Sequence, residues 1–164
     1  MYMWFNTGSI HEDWVEAIAN MWRDTLGIED IQFEALPFAE YLPKIDAQEI
    51  TGPFRLGWGM DYPSPQNFLE PLFASYNAAP VGSNNGVYNS PEFDAAVAAG
   101  NAAAVDGLEA AIPDYQAAED ILCEDVPAAP MFFGLNQFAW SDRVSGVYVD
   151  AFGDINYPEI SVTE

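Results

Sequence analysis

Residues 1–9 read Met-Tyr-Met-Trp-Phe-Asn-Thr-Gly-Ser, an apolar and aromatic run that ends in a turn. The run predicts a buried strand followed by a turn. Ser9, with Glu12 three residues later, predicts a capping box at the start of a helix. Apolar residues recur at helical spacing from there to Leu26, and Gly27 supplies the C-terminal stop.

The next segments repeat this alternation of strand and helix. Residues 28–36 alternate apolar and polar side chains and predict a second strand. A short helix is expected at about 38–48 and a third strand at about 54–60. This order indicates a largely parallel sheet with right-handed crossovers. The predicted fold class is therefore α/β, a mixed and mostly parallel sheet flanked by helices.

The second half of the chain carries weaker patterns. Residues 62–90 are rich in Pro, Asn, Ser and Gly and predict a long structured loop with one helix at 66–76. Residues 129–140 predict one long or two short strands. Residues 144–164 alternate weakly, which predicts an edge strand and a tail.

Two further helices are predicted between those segments. Ser90 is expected to cap a helix that begins at Pro91, since proline suits the first helical position. Asp106 with Glu109 predicts another capping box. The helix that this box opens should be kinked at Pro113.

The composition of the 164 residues fits one folded domain, because 50% of them are hydrophobic and 15% are aromatic. The charge is one-sided: 4 Lys and Arg against 26 Asp and Glu give −22 at pH 7. Such a surface repels phosphate, which argues against nucleic acid or an anionic membrane surface as a partner.

No residue pattern typical of catalysis stands out. His11 is the only histidine, and in the first turn of a helix a solvated or capping role is favoured over catalysis. Cys123 alone cannot build a Cys-rich metal site, and Gly57-x-Gly59 lacks the third glycine of a dinucleotide fingerprint. We therefore predict no catalytic residue, no metal and no cofactor. A small hydrolase that uses paired carboxylates stays open as an alternative.

The most informative stretch is 54–65, Phe-Arg-Leu-Gly-Trp-Gly-Met-Asp-Tyr-Pro-Ser-Pro. Trp58 lies between two glycines, which leaves its ring uncovered by neighbouring side chains. Asp61 follows at the carboxyl end of the predicted third strand, where open α/β folds bind ligands. Pro63 and Pro65 stiffen the loop. The alternative is a plain strand end, in which Trp58 belongs to the core and Asp61 caps the turn.

The block at 57–69, Gly-Trp-Gly-Met-Asp-Tyr-Pro-Ser-Pro-Gln-Asn-Phe-Leu, resembles the central motif of the family 5 extracellular solute-binding proteins. These are the oligopeptide- and dipeptide-binding proteins of bacterial ABC importers. Other stretches follow in the same order as in that family, so the resemblance spans about 3–149. They are Asn6-Thr7-Gly8, His11, Trp22, Leu26-Gly27-Ile28, the run 88–94, the run 115–122, Glu124-Asp125-Val126-Pro127 and Pro130.

The resemblance implies a lobe of the periplasmic-binding-protein-like type II fold. Residues 1–149 would form the C-terminal ligand-binding lobe, and 150–164 a crossover tail that returns to an N-terminal lobe. The first residues lack the basic start and apolar core of a signal peptide. By itself this absence fits a cytosolic protein or a piece of a longer one. Members of the family are longer and carry a signal peptide and a first lobe, so the resemblance implies a piece of an extracellular or periplasmic protein, anchored as a lipoprotein through its missing N-terminus.

The implied function is capture of short peptides between two lobes for delivery to the membrane subunits of an ABC transporter, without chemistry. By the resemblance, Asp61 takes the ligand's α-ammonium group, and the Gly59 backbone pairs with the ligand's main chain. Trp58 lines a side-chain pocket. Arg55 meets a ligand carboxylate in some members; a structural pairing with an acid is the alternative.

Two further positions are ligand-binding candidates. Phe38 stands where the family often has a cleft-facing tryptophan, and core packing is the alternative. Asn85 is expected to hydrogen-bond ligand or to serve a turn. Gly59 replaces a disulfide-bonded cysteine of the best-known peptide binder, which leaves oligosaccharides, nickel chelates and opines open as other cargoes. An interaction module without a ligand is the remaining alternative.

Overall fold

The chain alternates short strands and helices in the computed structural model, which describes residues 1–163. The helices are α1 (His11–Leu26), α2 (Phe38–Asp46), α3 (Gln66–Phe73), α4 (Pro91–Ala103) and α5 (Leu108–Asp125). The strands are β1 (Tyr2–Asn6), β2 (Gln32–Leu36), β3 (Val144–Ser145) and β4 (Ser161–Val162). Short 3₁₀ turns lie at Ser75–Asn77, Ala104–Asp106 and Tyr157–Glu159.

The predicted β-α-β opening is confirmed. β1 and β2 pair in parallel, with Met3 opposite Phe33, and α1 connects them. Gly27 adopts φ 69° and ends α1 in a left-handed cap, as the sequence predicts. The first core forms where α1 covers the sheet, and it contains Met3, Phe5, Val15, Ala19 and Ile31.

The predicted third strand is reduced to a single parallel bridge between Trp4 and Phe54, so the prediction is wrong for the residues that follow. The buried Tyr41 hydroxyl of α2 donates to the Arg55 carbonyl oxygen at 2.7 Å. In a continued strand, that carbonyl oxygen would instead accept a hydrogen bond from the neighbouring strand. Gly57 and Gly59 further weaken strand formation, because they offer no side chains to pack.

A second core joins α3, α4 and α5. Phe93 and Val97 of α4 pack against Tyr115 and Ala118 of α5, all of them buried. Gly100 lets these helices approach closely, since a Cβ atom there would overlap the Tyr115 ring. Leu69 of α3 belongs to this core, and the candidate site lies at the N-terminal end of the same helix.

Only one of the three predicted N-caps is confirmed. Ser90 Oγ accepts a hydrogen bond from the Phe93 amide at 3.3 Å, with Pro91 at the first position of α4. α1 begins two residues beyond Ser9, and its N-cap, Ile10, makes no side-chain cap. α5 begins after Gly107, whose φ of 119° suits glycine, so Asp106 lies in the preceding turn instead of at the cap.

The strands predicted at 129–140 are absent from the described chain, and the side chains of 131–140 are exposed. Their alternating apolar residues resemble a strand, but no described backbone lies beside them to complete a ladder. Phe132 instead makes an edge contact with Trp14 of α1, at a ring separation of 5.6 Å.

The C-terminal segment forms a small antiparallel pair, in which β3 lies against β4. The predicted edge strand therefore corresponds to Val144–Ser145, with Val149 and Ile155 joined by an isolated bridge. The proposed boundary between 149 and 150 stays a prediction. Glu164, the last residue of the predicted tail, lies outside the described residues. No helix within 1–163 combines the length and the apolar character needed to cross a bilayer.

Candidate functional site

Asp61 is exposed at the end of the loop that leads into α3, and a buried amide holds it there. Asn67, only 2% exposed, donates from Nδ2 to Asp61 Oδ2 at 3.1 Å. The Asn67 Oδ1 atom accepts the Asp61 backbone N–H at 2.8 Å. The carboxylate is therefore fixed in orientation while it stays open to solvent, which suits a group that receives a cation.

Trp58 points to the same side-chain amide, that of Asn67. Its Nε1–H points to Asn67 Oδ1 at 3.4 Å, and 36% of the residue is exposed. The ring is therefore not part of the core. A Cβ atom at Gly59 would meet nothing within 4 Å, so the backbone beside Trp58 is open to an approaching chain. Trp58 and Asp61 therefore share one hydrogen-bonding partner, with the bare backbone of Gly59 and then Met60 between them in the chain.

Asn67 is the residue that the sequence analysis did not single out. It appears there only as part of the block that resembles the solute-binding family. Its importance comes from being buried at the start of α3 with three hydrogen bonds. No apolar spacing reports that burial, because such patterns identify buried apolar residues and Asn67 is polar.

Arg55 begins the stretch that ends at Asp61. Its Nη1 donates to Asn6 Oδ1 at 2.9 Å, and a Cβ atom at Gly57 would lie 3.2 Å from Nη2. Within 1–163 the ion pair is Lys44–Glu49, so the predicted alternative of an Arg55–acid pair is not found. Burial lowers the pKa of Arg55. The guanidinium remains a partly buried cation whose side-chain partner is a neutral amide.

His11 lies next to this cation and is buried, contrary to the solvated role that its sequence position favours. Its Nδ1 accepts the Trp14 indole N–H at 3.1 Å, which leaves the proton of the neutral ring on Nε2. Burial, and then the charge of Arg55, lower the pKa of His11. His11 begins α1, as predicted, but the expected solvated role is wrong, because the ring is buried and makes an edge contact with Trp14, one turn later in the helix.

Phe38 and Asn85 lie apart from this group. Phe38 begins α2 and is half-exposed. Asn85 lines a separate cavity with Ile45 and Phe54. No hydrogen bond or aromatic contact among the described residues joins either side chain to Asp61. The structure thus links two of the six candidates, Trp58 and Asp61, through Asn67, with Gly59 between them in the chain.

The arrangement offers charge recognition without an evident reaction centre. A fixed carboxylate at Asp61 and a guanidinium at Arg55 are separated by the five residues 56–60, Leu-Gly-Trp-Gly-Met, in the chain. Across the described residues, no three His, Cys, Asp or Glu side chains meet as a metal-binding group. The exposed Asp61 carboxylate can receive a cation, and the Arg55 guanidinium can receive an anion.

Comparisons with known proteins point to the same class. No family model matches the chain. The oligopeptide-binding protein OppA of Bacillus subtilis is 26% identical over 153 residues, which are 93% of this chain and 27% of that protein. The periplasmic murein peptide-binding protein MppA of Escherichia coli is 32% identical over 131 residues, which are 78% of this chain and 22% of that protein.

Solved structures extend the likeness to the fold. Haemophilus influenzae OppA in complex with RPPGFSPFR matches 99% of this chain and 31% of that structure, with a TM-score of 0.81 and 26% identity. The substrate-binding domain of an oligopeptide ABC transporter from Bacillus anthracis matches 100% of this chain and 31% of that structure, also with a TM-score of 0.81. At 19% identity, the second match shows a shared fold.

The predicted fold of a periplasmic-binding-protein type II lobe is confirmed by these matches. The chain spans about a quarter of the length of the curated relatives it matches, 27% of one and 22% of the other. It is therefore a homologue of the family 5 solute-binding proteins, the group of the oligopeptide-binding proteins OppA and MppA, and it corresponds to one part of them.

Proposed function

We propose that the chain is the C-terminal lobe, residues 1–149 with a crossover tail at 150–164, of a substrate-binding protein that captures short peptides for an ABC importer. The observation that carries the proposal is the exposed Asp61 carboxylate immobilised by the buried Asn67 amide. The names of the relatives, which describe oligopeptide and murein peptide binding, support the peptide as ligand.

In this proposal Asp61 forms an ion pair with the α-ammonium group of the peptide. Because Asn67 has already fixed the carboxylate, binding loses little side-chain freedom. Closure of a second lobe would remove water and strengthen the charged hydrogen bond, which is weak at an open surface. The bare backbone at Gly59 would pair with the ligand's main chain, and this mode accepts many side chains.

Arg55 supplies the complementary charge in this proposal. It receives a carboxylate of the peptide, since no acid within 1–163 neutralises it. Trp58 offers an indole face to a ligand side chain. Phe38 and Asn85 would take part with longer ligands. The site binds and releases its cargo unchanged, so the function is transport and not catalysis.

The proposed place of work is outside the cytoplasmic membrane. The relatives include proteins named as periplasmic, from Escherichia coli and Haemophilus influenzae. The partners in this proposal are the peptide and the membrane subunits of the transporter. A lipid anchor would belong to a part of the protein that precedes this chain.

The test is a titration of the chain with trialanine, in which the chemical shifts of the backbone amides are monitored by NMR. One lobe offers half of the contacts, so we expect weak binding with a Kd on the order of 1 mM. Saturable shifts should appear at Trp58, Gly59 and Asp61. The Asp61→Asn variant should weaken binding about tenfold or more, because a charged hydrogen bond is lost.

Asp106→Asn is the matched control, since Asp106 is exposed in a turn far along the chain and forms no side-chain hydrogen bond. It should bind trialanine as the parent chain does. Equal loss in both variants, or trialanine shifts that survive in Asp61→Asn, would contradict the proposal. Calorimetry that shows tight peptide binding by the chain alone would contradict the two-lobe part of it.

A further inference from the structure

The buried histidine at the start of α1 holds Trp14 by a hydrogen bond that depends on the protonation state of the histidine. The Trp14 indole N–H can only donate, so His11 Nδ1, 3.1 Å away, must be an unprotonated acceptor. A proton on Nδ1 would turn that atom into a donor that faces another donor. The hydrogen bond can therefore exist only while His11 is neutral.

The same indole ring contacts Phe132, which belongs to the segment 127–140. The two ring centroids lie 5.6 Å apart at an interplanar angle of 86°, a favoured geometry for an aromatic pair. The contact matters for the segment, because within 1–163 no N–H or carbonyl group of 127–140 takes part in a backbone hydrogen bond. The adjacent Phe133 is fully exposed. Phe132 therefore connects this segment to α1.

The groups around His11 disfavour its charged form. Burial lowers the pKa of the imidazole ring, and the charge of Arg55 lowers it further. No carboxylate within 1–163 forms an ion pair with His11, and Glu12 and Asp13, which follow it in the helix, are exposed. The segment 127–140 contains no charged residue. An imidazolium formed at low pH would therefore lie near one cation and have no paired acid.

We propose that uptake of a proton by His11 releases the segment 127–140 from α1. The imidazolium can no longer accept the Trp14 indole N–H, because both of its nitrogens are donors. A cation is attracted to the face of an indole ring, and not to its N–H edge. Trp14 therefore turns, and its edge contact with Phe132 is lost. The proposal goes beyond peptide capture and does not depend on it.

NMR spectra of the chain, recorded from about pH 7.5 to about pH 5, test this connection across the range in which histidine titrates. The Trp14 indole N–H and the Phe132 amide should shift with one common midpoint, which lies below 6.5. The nuclear Overhauser effect between the two rings should weaken about two- to tenfold, the range expected for loss of one aromatic pair. The fully exposed Phe133 side chain has no such contact to lose.

His11→Gln keeps an acceptor for the Trp14 indole N–H and does not titrate, so the ring contact should become independent of pH. Asp13→Asn is the matched control, because Asp13 is exposed in the same turn, and it should titrate as the parent chain does. If His11→Gln does not fold, Phe132→Ala supplies the test. It should abolish the pH response of the segment, whereas Phe133→Ala should keep it.

Three results would overturn the proposal. The first is a ring contact between Trp14 and Phe132 that stays constant while His11 titrates. The second is the same midpoint at Phe132 in His11→Gln as in the parent chain. The third is a segment that still responds to pH in Phe132→Ala. No peptide is present in these experiments, so their failure would leave the peptide proposal, tested at Asp61, unaffected.

Discussion

At the scale of single residues, one buried amide shapes the candidate site. Asn67 orders both Trp58 and Asp61 by hydrogen bonds, and it is itself fixed by burial. The sequence pointed to Trp58 and Asp61 through their spacing among glycines and prolines. It did not reveal Asn67, because burial of a polar side chain depends on packing that no local spacing encodes.

The Asn67→Ala variant should lower the free energy of unfolding by about 1–3 kcal/mol, because it leaves the Asp61 N–H without its acceptor. It should also weaken trialanine binding, since the carboxylate loses its fixed orientation. Urea unfolding followed by circular dichroism measures the first effect. Asn85→Ala is the control and should cost less, because its Oδ1 has no hydrogen bond to lose. Equal costs in both variants would refute this role for Asn67.

His11 gives a second prediction at this scale. Burial and the Arg55 charge lower its pKa below the ordinary value of 6.5, so the unfolded chain binds the proton more tightly than the folded chain. The free energy of unfolding should therefore decrease as the pH falls through 6.5. It should decrease no further once the pH is below the pKa of His11 in the folded chain. Glu12 and Asp13, in the same turn, are exposed.

Urea unfolding between about pH 5 and pH 7 measures this slope above the range where most carboxyl groups titrate. His11→Gln keeps a hydrogen-bonding side chain that does not titrate, so the slope should largely vanish in that variant. A stability that rises on acidification over this range would show that His11 is not the responsible group.

At the scale of elements, the sequence predicted helices better than strands. α1, α2, α3, α4 and α5 all lie where apolar spacing, prolines and glycines indicate. Helices satisfy their own backbone hydrogen bonds, so local pattern is informative about them. The strands expected at 54–60 and 129–140 need a neighbour, and no described segment completes a ladder beside most of either range.

The helix caps provide a prediction at this scale. Ser90→Ala should lower the free energy of unfolding by about 1 kcal/mol, because the Phe93 N–H loses its acceptor at the start of α4. Ser9→Ala is the matched control and should change little, since Ser9 caps nothing. Thermal or urea unfolding of the two variants makes the comparison. A larger loss in Ser9→Ala than in Ser90→Ala would contradict the assigned caps.

At the scale of the whole molecule, the net charge is −22, yet the candidate ligand-binding residues include a cationic side chain, Arg55. Arg55 lies beside Asn6 and His11, and no described carboxylate pairs with it. The stretch 55–61 thus begins with a partly buried guanidinium and ends with an exposed carboxylate. The chain also covers about a quarter of its relatives' length.

A crystal structure of the chain soaked with trialanine tests the central claim most directly. We expect the peptide's ammonium nitrogen at about 2.8 Å from an Asp61 carboxylate oxygen, the usual length of a charged hydrogen bond. The peptide's first carbonyl should face the Gly59 backbone. A peptide bound with its amino terminus away from Asp61, or with its carboxylate facing that residue, would contradict the account.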